Sequence, residues 1–302
     1  MSMAEGVSDD VWTVGRLLKW TTSWLARHEV PSPRLSSELV IAHALACRKI
    51  DLYLRFEYEP IEAELAAIRS LVRRAAAHEP IAYVVGHKEF YSLDFEVTPD
   101  VLIPRPETET LVQQAVELCR AASDATVTVL DVGTGSGCVA ISIAKYAPNA
   151  VVTASDVSDA ALAIARRNAE RHGVGGAISF AAADCVGFAP GVAPAGGFDL
   201  LVSNPPYVAE AEYEALDRAV REYEPRISLA GGADGLAFYR RLAAEAGAVV
   251  RGGGAMLLEI GAGQRDAVVE ILTRGGEFRH AGTYRDPSDP HDRVVHVVRD
   301  GP

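Results

Sequence analysis

The sequence predicts an α/β protein: a doubly wound, mostly parallel sheet preceded by a small helical bundle, with a β-hairpin linking the two. Three observations predict it. From residue 127 onward, short β-rich apolar runs alternate with helix-compatible segments and glycine-rich turns. Residues 11 to 77 instead repeat apolar side chains near helical spacing, and residues 88 to 103 alternate as paired strands do. The breaks between these patterns set the expected boundaries: a helical domain over 1–80, a hairpin linker over 81–105 and the α/β domain over 106–302.

In the bundle, Val11-Trp12, Leu17-Leu18, Trp20 and Trp24-Leu25 form the first helical pattern, Ser36-Ser37-Glu38 opens a second helix, and Pro60 starts a third over 61 to 77. Trp12, Trp20 and Trp24 are expected in its core. Pro80 marks the exit from the bundle. Pro106 at a first helical position, with Glu107 and Glu109 in the first turn where carboxylates suit the helix dipole, opens the α/β domain.

The run Val127-Thr128-Val129-Leu130-Asp131-Val132 leads directly into Gly133-Thr134-Gly135-Ser136-Gly137, and apolar helix-compatible residues follow from Val139. Strand, glycine turn and helix in that order bring backbone close to a ligand at a helix N-terminus. A dinucleotide fingerprint beginning at Gly133 needs a glycine at 138, where Cys138 stands, so the G-x-G-x-G spacing fits a loop for S-adenosylmethionine better. Val151 to Asp156 reads as a second strand ending in a carboxylate suited to the two hydroxyls of an adenosine ribose. A helix over 158 to 172 follows, capped by Ser158 with Asp159 in its first turn. The run from Ala177 to Phe180 leads to Asp184, placed to accept from an adenine amine. Each Asp alone reads better as a cap or loop residue; their order along alternating strands and helices is what makes them ligand candidates.

Asn204-Pro205-Pro206-Tyr207 follows the apolar run Phe198 to Ser203. An amide or exocyclic amine nitrogen delocalises its lone pair into a π-system and must be held while it reacts. An Asn side-chain oxygen and a nearby backbone carbonyl can each accept one of its N–H groups. Consecutive prolines stiffen the turn and leave its carbonyls facing outward, and Tyr207 can stack on a flat substrate group. Pro-Pro after a strand also marks a plain sharp loop; the glycine loop upstream turns it into half of a methyl-transfer site.

Further on, Gly231-Gly232 and Gly252-Gly253-Gly254 read as turns, Asp234 as the cap of a helix through Arg240 and Leu242, and residues 278 to 284 and 294 to 298 as strands. In such a sheet ligands sit at the carboxyl ends of the strands, where Gly133 and Asn204 both fall.

Composition narrows the function classes. The chain has 302 residues, 49% of them hydrophobic, which is enough for a core. It contains no run of eighteen apolar residues, and its acidic start lacks the charged-then-apolar order of a signal peptide, so a cytoplasmic protein off the membrane is expected. Cys47, Cys119, Cys138 and Cys185 lack C-x-x-C spacing, which argues against a metal site or a disulfide framework. His291 and His296 read as loop and strand residues rather than ligands. The net charge of −12 disfavours stable binding to nucleic acid. The basic groups Arg69, Arg73, Arg74 and Arg166, Arg167, Arg171 read as solvated helix faces.

Motifs in consistent order carry a family resemblance. Pro80 to Gly86, Glu89-Phe90-Tyr91, Val101 to Glu109, the glycine loop, Asn204-Pro205-Pro206-Tyr207, Glu224-Pro225, Gly231 to Leu236, Leu258-Glu259-Ile260-Gly261 and Asp292-Arg293-Val294 together resemble the release factor glutamine N5-methyltransferases, over roughly residues 80 to 299. The resemblance implies a Rossmann-like class I methyltransferase fold, with the bundle as substrate-recognition domain. It also implies methyl transfer from S-adenosylmethionine to the side-chain amide nitrogen of the glutamine in the Gly-Gly-Gln motif of peptide chain release factors. By position, Gly133, Thr134, Gly135, Ser136 and Gly137 then hold the methionine end, Asp156 the ribose, and Asp184 with Cys185 the adenine. Asn204, Pro205, Pro206 and Tyr207 hold the glutamine, Asn204 also facing the donor, and Phe90, Arg105 and Glu107 wall the pocket. The enzyme is expected to act as a monomer, by in-line displacement, with no covalent intermediate and no dedicated base. Three positions depart from the family: Cys185 where an aromatic is common, Ser92 where glycine is usual, and a stiffer loop over 286–291. They leave room for the alternative of a paralogue acting on a small-molecule amide or amine, or on an exocyclic amine of a nucleic-acid base.

Overall fold

The computed structural model describes residues 11–123, 125–188, 191–286 and 290–301. The acidic start and the centre of the 286–291 loop lie outside the described residues. The chain forms two compact units, one running to Gly86 and including Arg218–Tyr223, the other made of His87–Asp217 and the residues from Glu224 onward.

The first unit holds helices α1 (Val14–Arg27), α2 (Pro33–Ala44), α3 (Lys49–Leu54), α4 (Glu62–Ala76) and α5 (Ile81–Val85). Their apolar faces meet in a core that includes Val14, Leu25, Val40, Ile41, Leu52 and Val72. Trp12, Trp20 and Trp24 are half-buried against it, and the rings of Trp20 and Trp24 stack 5.3 Å apart. The second helix begins earlier than Ser36. Pro33 occupies the first turn of α2, and Ser36 and Ser37 sit inside it, their hydroxyls donating to the carbonyls of Pro31 and Pro33 at 2.9 and 2.7 Å. Pro60 likewise stands outside α4, whose start is fastened by the Glu64 carboxylate accepting from the Ile61 amide at 2.8 Å.

The second unit opens with the hairpin β1 (His87–Phe90) and β2 (Leu93–Glu96), so strand pairing stops short of residue 103. Its turn residues Tyr91 and Ser92 have φ of +48° and +60°. Two left-handed residues are what a tight hairpin turn demands, and glycine would meet that demand without strain, which gives the departure at Ser92 a conformational cost. Helices α6 (Glu109–Ala121), α7 (Cys138–Tyr146), α8 (Asp159–Arg171), α9 (Glu210–Tyr213), α10 (Arg218–Tyr223, of the first unit), α11 (Ala237–Glu245) and α12 (Arg265–Thr273) alternate with the main strands. These strands are β3 (Val127–Val132), β4 (Ala150–Asp156), β5 (Ile178–Ala182), β6 (Phe198–Ser203), β7 (Val250–Glu259), β8 (Phe278–Tyr284) and β9 (Val294–Arg299).

Their order across the sheet is β5-β4-β3-β6-β7-β9-β8, parallel throughout except that β9 runs antiparallel to both its neighbours. Alternation along the strands sorts side chains onto two faces. Val129, Leu200 and Val202 face the core shared with α6 and α7; Leu130, Leu201 and Met256 face the core shared with α11 and α12. Gly252-Gly253-Gly254 is not a turn between elements but part of β7. The register there jumps from Phe198 opposite Val250 to Leu200 opposite Ala255, and Gly253 takes φ +74° inside this bulge.

Candidate active site

The sheet brings together what the sequence separates. β3 and β6 are neighbours, with Val132 opposite Ser203, 71 positions further along the chain; the Ser203 hydroxyl donates to the Val132 carbonyl at 2.7 Å. From β3 the chain winds outward to β4 and β5, whereas β6 leads the other way to β7, so the carboxyl ends of β3 and β6 flank the switch point where doubly wound sheets bind ligands. The glycine loop leaves one of these ends and Asn204 the other. Both line a cavity of about 510 Å³, within the range of small-molecule sites.

The glycine loop is fixed by backbone bonds. The amides of Gly133 and Thr134 donate to the Ser155 carbonyl at 2.9 and 2.8 Å, and the Gly135 amide donates to a carboxylate oxygen of Asp156 at 2.9 Å. The other oxygen of Asp156 accepts from the Ser158 amide at 2.9 Å. Asn168, fully buried on α8, donates to the carbonyls of Ser136 and Glu96 at 2.9 and 3.0 Å, tying the loop to the hairpin. Gly133 and Gly135 take φ of +74° and +55°, and a Cβ built on either would meet nothing within 4 Å because it would project into open space. That is a cradle which side chains would fill. Together with the lone pairs still open on Asp156 and the apolar wall of Leu102, Val157 and Ile227, it fits S-adenosylmethionine.

The sequence-derived residues divide accordingly. Gly133, Gly135, Asp156, Asp184, Cys185, Asn204, Pro205 and Pro206 line the cavity. Thr134, Ser136 and Gly137 turn behind it: the Thr134 hydroxyl donates to Asp131 at 2.7 Å, and Gly137 packs where a Cβ would come within 3.1 Å of the Ala165 Cβ. Asp184 is engaged, its carboxylate pairing with Arg241 of α11. Cys185 is buried with φ +56°, and burial pushes its thiol up to about 12.

Four residues sit elsewhere. Phe90 is buried with its ring 6.0 Å from that of Phe95, because its position on β1 faces the sheet core. Arg105 pairs with Glu224, whose second oxygen accepts from the Ile103 amide at 3.2 Å. Glu107 lies in a short 3-10 turn, Pro106–Thr108, and Tyr207 packs against the core shared with α11, its carbonyl accepting from Gln264 at 3.0 Å. Gly235 makes that approach possible, since a Cβ there would lie 2.4 Å from the Tyr207 carbonyl oxygen. Desolvation, then the Glu259 charge, raises the Tyr207 phenol well above its ordinary value, which removes it as a base.

Sequence reasoning missed the groups that hold these residues. Asn204 donates from Nδ2 to the hydroxyl of buried Thr108 at 3.1 Å, leaving Oδ1 as the acceptor of its amide. Arg241 pairs with Asp184 and Glu224 with Arg105; Glu224 stands in a motif that the family resemblance contains, which was its only signal. Two carboxyls near the site are fully buried. Asp131 is pushed up to about 7 by desolvation, against the Thr134 hydroxyl and the Ala140 amide that it accepts from. Glu259 is also pushed up to about 7, burial and the neighbouring Glu107 charge outweighing Arg293 and the nearby hydroxyls of Thr108 and Tyr207. Among the described residues no group of three His, Cys, Asp or Glu is placed to hold a metal ion.

Two family models match the chain: the PrmC N-terminal domain over residues 16–86 and the methyltransferase small domain over residues 108–258. The chain is 43% identical over 288 residues to a release factor glutamine methyltransferase of Geobacter sulfurreducens, covering 95% of this chain and 96% of that one. It is 38% identical to that of Rhodopirellula baltica over 299 residues, 98% of this chain and 100% of the relative. Among solved structures it is similar to a protein-(glutamine-N5) methyltransferase, release factor-specific, from Alicyclobacillus acidocaldarius, at 32% identity, TM-score 0.40, over 68% of this chain and 99% of that one.

Proposed function

The chain belongs to the release factor glutamine methyltransferases, and on that footing we propose that it methylates the side-chain amide nitrogen of the glutamine in the Gly-Gly-Gln motif of release factors. One observation carries this reading. A glycine cradle and an Asn-Pro-Pro-Tyr turn leave adjacent parallel strands into one cavity, with the Asn204 Nδ2 occupied by Thr108 so that Oδ1 is the end that receives a donor.

S-adenosylmethionine supplies an electrophilic methyl on a sulfonium that is already a good leaving group. The protein therefore has mainly to place the nitrogen. Asn204 Oδ1 accepts one N–H of the glutamine amide, and the Pro205 carbonyl, in a turn stiffened by Pro206, accepts the other. Asp156 receives the ribose hydroxyls, and its bonds from Gly135 and Ser158 hold it ready to do so. The methylated nitrogen loses its proton to water, and neither Tyr207 nor a histidine is needed for that step. The helical unit recognises the release factor. Its exposed apolar side chains, Ile50, Leu54 and Ile61 at 58, 78 and 63% exposure, are suited to a protein partner. The basic helix faces are less suited to a polyanion, because Arg69, Arg74 and Arg167 pair with Glu62, Glu79 and Glu96.

The test is transfer of labelled methyl from S-adenosylmethionine to a bacterial release factor beside its Gln-to-Ala variant in the Gly-Gly-Gln loop. Label is expected in the first alone. Label in neither points to a small-molecule acceptor, and label in both puts the methylated residue elsewhere.

A further inference from the structure

Glu259 has no role in the assignments above. It ends β7, and because Ser203 pairs with Leu258 it stands level with Asn204, the residue that follows β6. Its side chain is 0% exposed, and neither carboxyl oxygen has a hydrogen-bond partner among the described residues. A buried carboxyl left in that condition weakens a fold, and such groups gather where function requires them. The backbone around it is fully engaged: its own carbonyl accepts from the Tyr239 hydroxyl at 2.8 Å, and the Ile260 amide donates to the Arg293 carbonyl at 2.9 Å.

What faces the carboxyl is the hydroxyl of Thr108, with Tyr207 and the charges of Glu107 and Arg293 around it. Thr108 is itself buried and receives the Nδ2 of Asn204. A threonine hydroxyl has a single hydrogen to give. If Thr108 gave it to the Asn204 amide, the amide would turn round and present N–H groups to the cavity, where they would repel the N–H groups of an incoming glutamine. Above about pH 7, where Glu259 is ionised, its carboxylate accepts and cannot donate. Placed on the far side of Thr108, it draws the hydroxyl hydrogen toward itself and leaves the oxygen to accept from Asn204.

We infer that Glu259, acting through the Thr108 hydroxyl, is a positioning residue that sets which way round the Asn204 carboxamide sits. The inference rests on Asn204 being the acceptor for the substrate amide. No hydrogen bond joins Thr108 to Glu259 in the structure, and the role inferred for Glu259 requires one to form when the reacting group is bound, as catalytic hydrogen bonds do.

Two isosteric changes test it. Thr108→Val removes the hydroxyl and keeps the shape; kcat is expected to fall about 10- to 100-fold, as misplacement of an orienting group does, with the Kd for S-adenosylmethionine unchanged. Thr108→Ser should recover most of the loss. Glu259→Gln, which can donate as well as accept, is expected to lower kcat about 3- to 30-fold. Because both act through one hydroxyl, the double variant should be no slower than Thr108→Val alone. Additive losses, or Thr108→Val at wild-type kcat, overturn the inference. A second measurement needs no turnover: the side-chain amide protons of Asn204, followed by NMR in the protein without acceptor, should be protected from exchange in the wild type and lose that protection in Thr108→Val. Unchanged protection also overturns it. Failure of the wild type to methylate a release factor would sink the proposed substrate and leave this readout standing.

Discussion

The two sides of the cavity are held by different means. On the cofactor side the geometry is backbone: four main-chain amides, of Gly133, Thr134, Gly135 and Ser158, donate to Ser155 and Asp156 at 2.8 to 2.9 Å. On the acceptor side it is a relay of side chains, Asn204 to Thr108 with Glu259 behind, and the carboxyl of the last has no hydrogen-bond partner among the described residues. The first side is complete before a ligand arrives, whereas the second has an acceptor left over for a glutamine amide. Damage to the backbone cradle should therefore appear in cofactor affinity, and damage to the relay in turnover.

The sharpest way to break this division is Asn204→Ala. Removing the orienting acceptor is expected to lower kcat by about 10²- to 10³-fold, the range for a preorganised polar group at a reacting centre, while the Kd for S-adenosylmethionine stays within about threefold. Single-turnover kinetics and calorimetry on the same preparation separate the two numbers. A variant that keeps its kcat and loses the cofactor would reverse the roles of the two sides.

The converse change is Gly135→Val. At φ +55° a branched side chain is strained, and its Cβ would project into the cavity. Backbone strain of about 1–3 kcal/mol corresponds to a Kd raised roughly 10- to 100-fold, with kcat at saturating cofactor close to wild type. Titration calorimetry reads the first, and initial rates at high cofactor read the second.

A third effect concerns protons. Burial lifts both Asp131 and Glu259 to about 7, above the ordinary carboxylate range. Each folded pKa lies above its unfolded value, so the folded chain binds more protons between about pH 4 and 7. The stability these groups contribute is present below their unfolded pKa and is lost as pH rises through about 7. Glu259→Gln removes one titration. Relative to wild type, its unfolding free energy should improve by about 1–3 kcal/mol between pH 5.5 and 8, measured by urea denaturation at each pH. A difference that does not vary with pH would show that Glu259 is ionised throughout and that its neighbours compensate its charge.

These contrasts also mark what was legible in the sequence. The cofactor side is local: strand, glycines and helix follow one another between residues 127 and 146, and Ser158 caps α8 as its position in the chain suggests. The Asn204 turn was legible for the same reason. The relay was not, because Thr108, Asn204 and Glu259 come from a 3-10 turn, a β6 exit and the end of β7; strand register brings the last two level, and a side-chain hydrogen bond joins Thr108 to Asn204. Gly252 to Gly254 misled by composition: three glycines read as a turn, yet here they are the extra residues of a bulge in β7. Phe90 and Arg105 misled by proximity to the family signature. One packs into the core and the other is matched by Glu224, 119 residues away, a partner that no local pattern specifies.

The smallest expected effect lies at the adenine end, where the sequence assigned a role to Asp184 that the structure complicates. Its carboxylate pairs with Arg241, which also donates to the Asp184 carbonyl at 3.1 Å and to Glu245 at 2.8 Å. The segment these bonds hold includes Cys185, whose φ of +56° keeps it strained. Arg241→Met should release that segment without touching the glycine cradle. An exposed ion pair contributes at most about 1 kcal/mol, so the Kd for S-adenosylmethionine should rise less than about fivefold, with kcat unchanged. A fall in Kd instead would show that Arg241 competes with the adenine amine for Asp184, and the cofactor side would then no longer be complete before its ligand arrives.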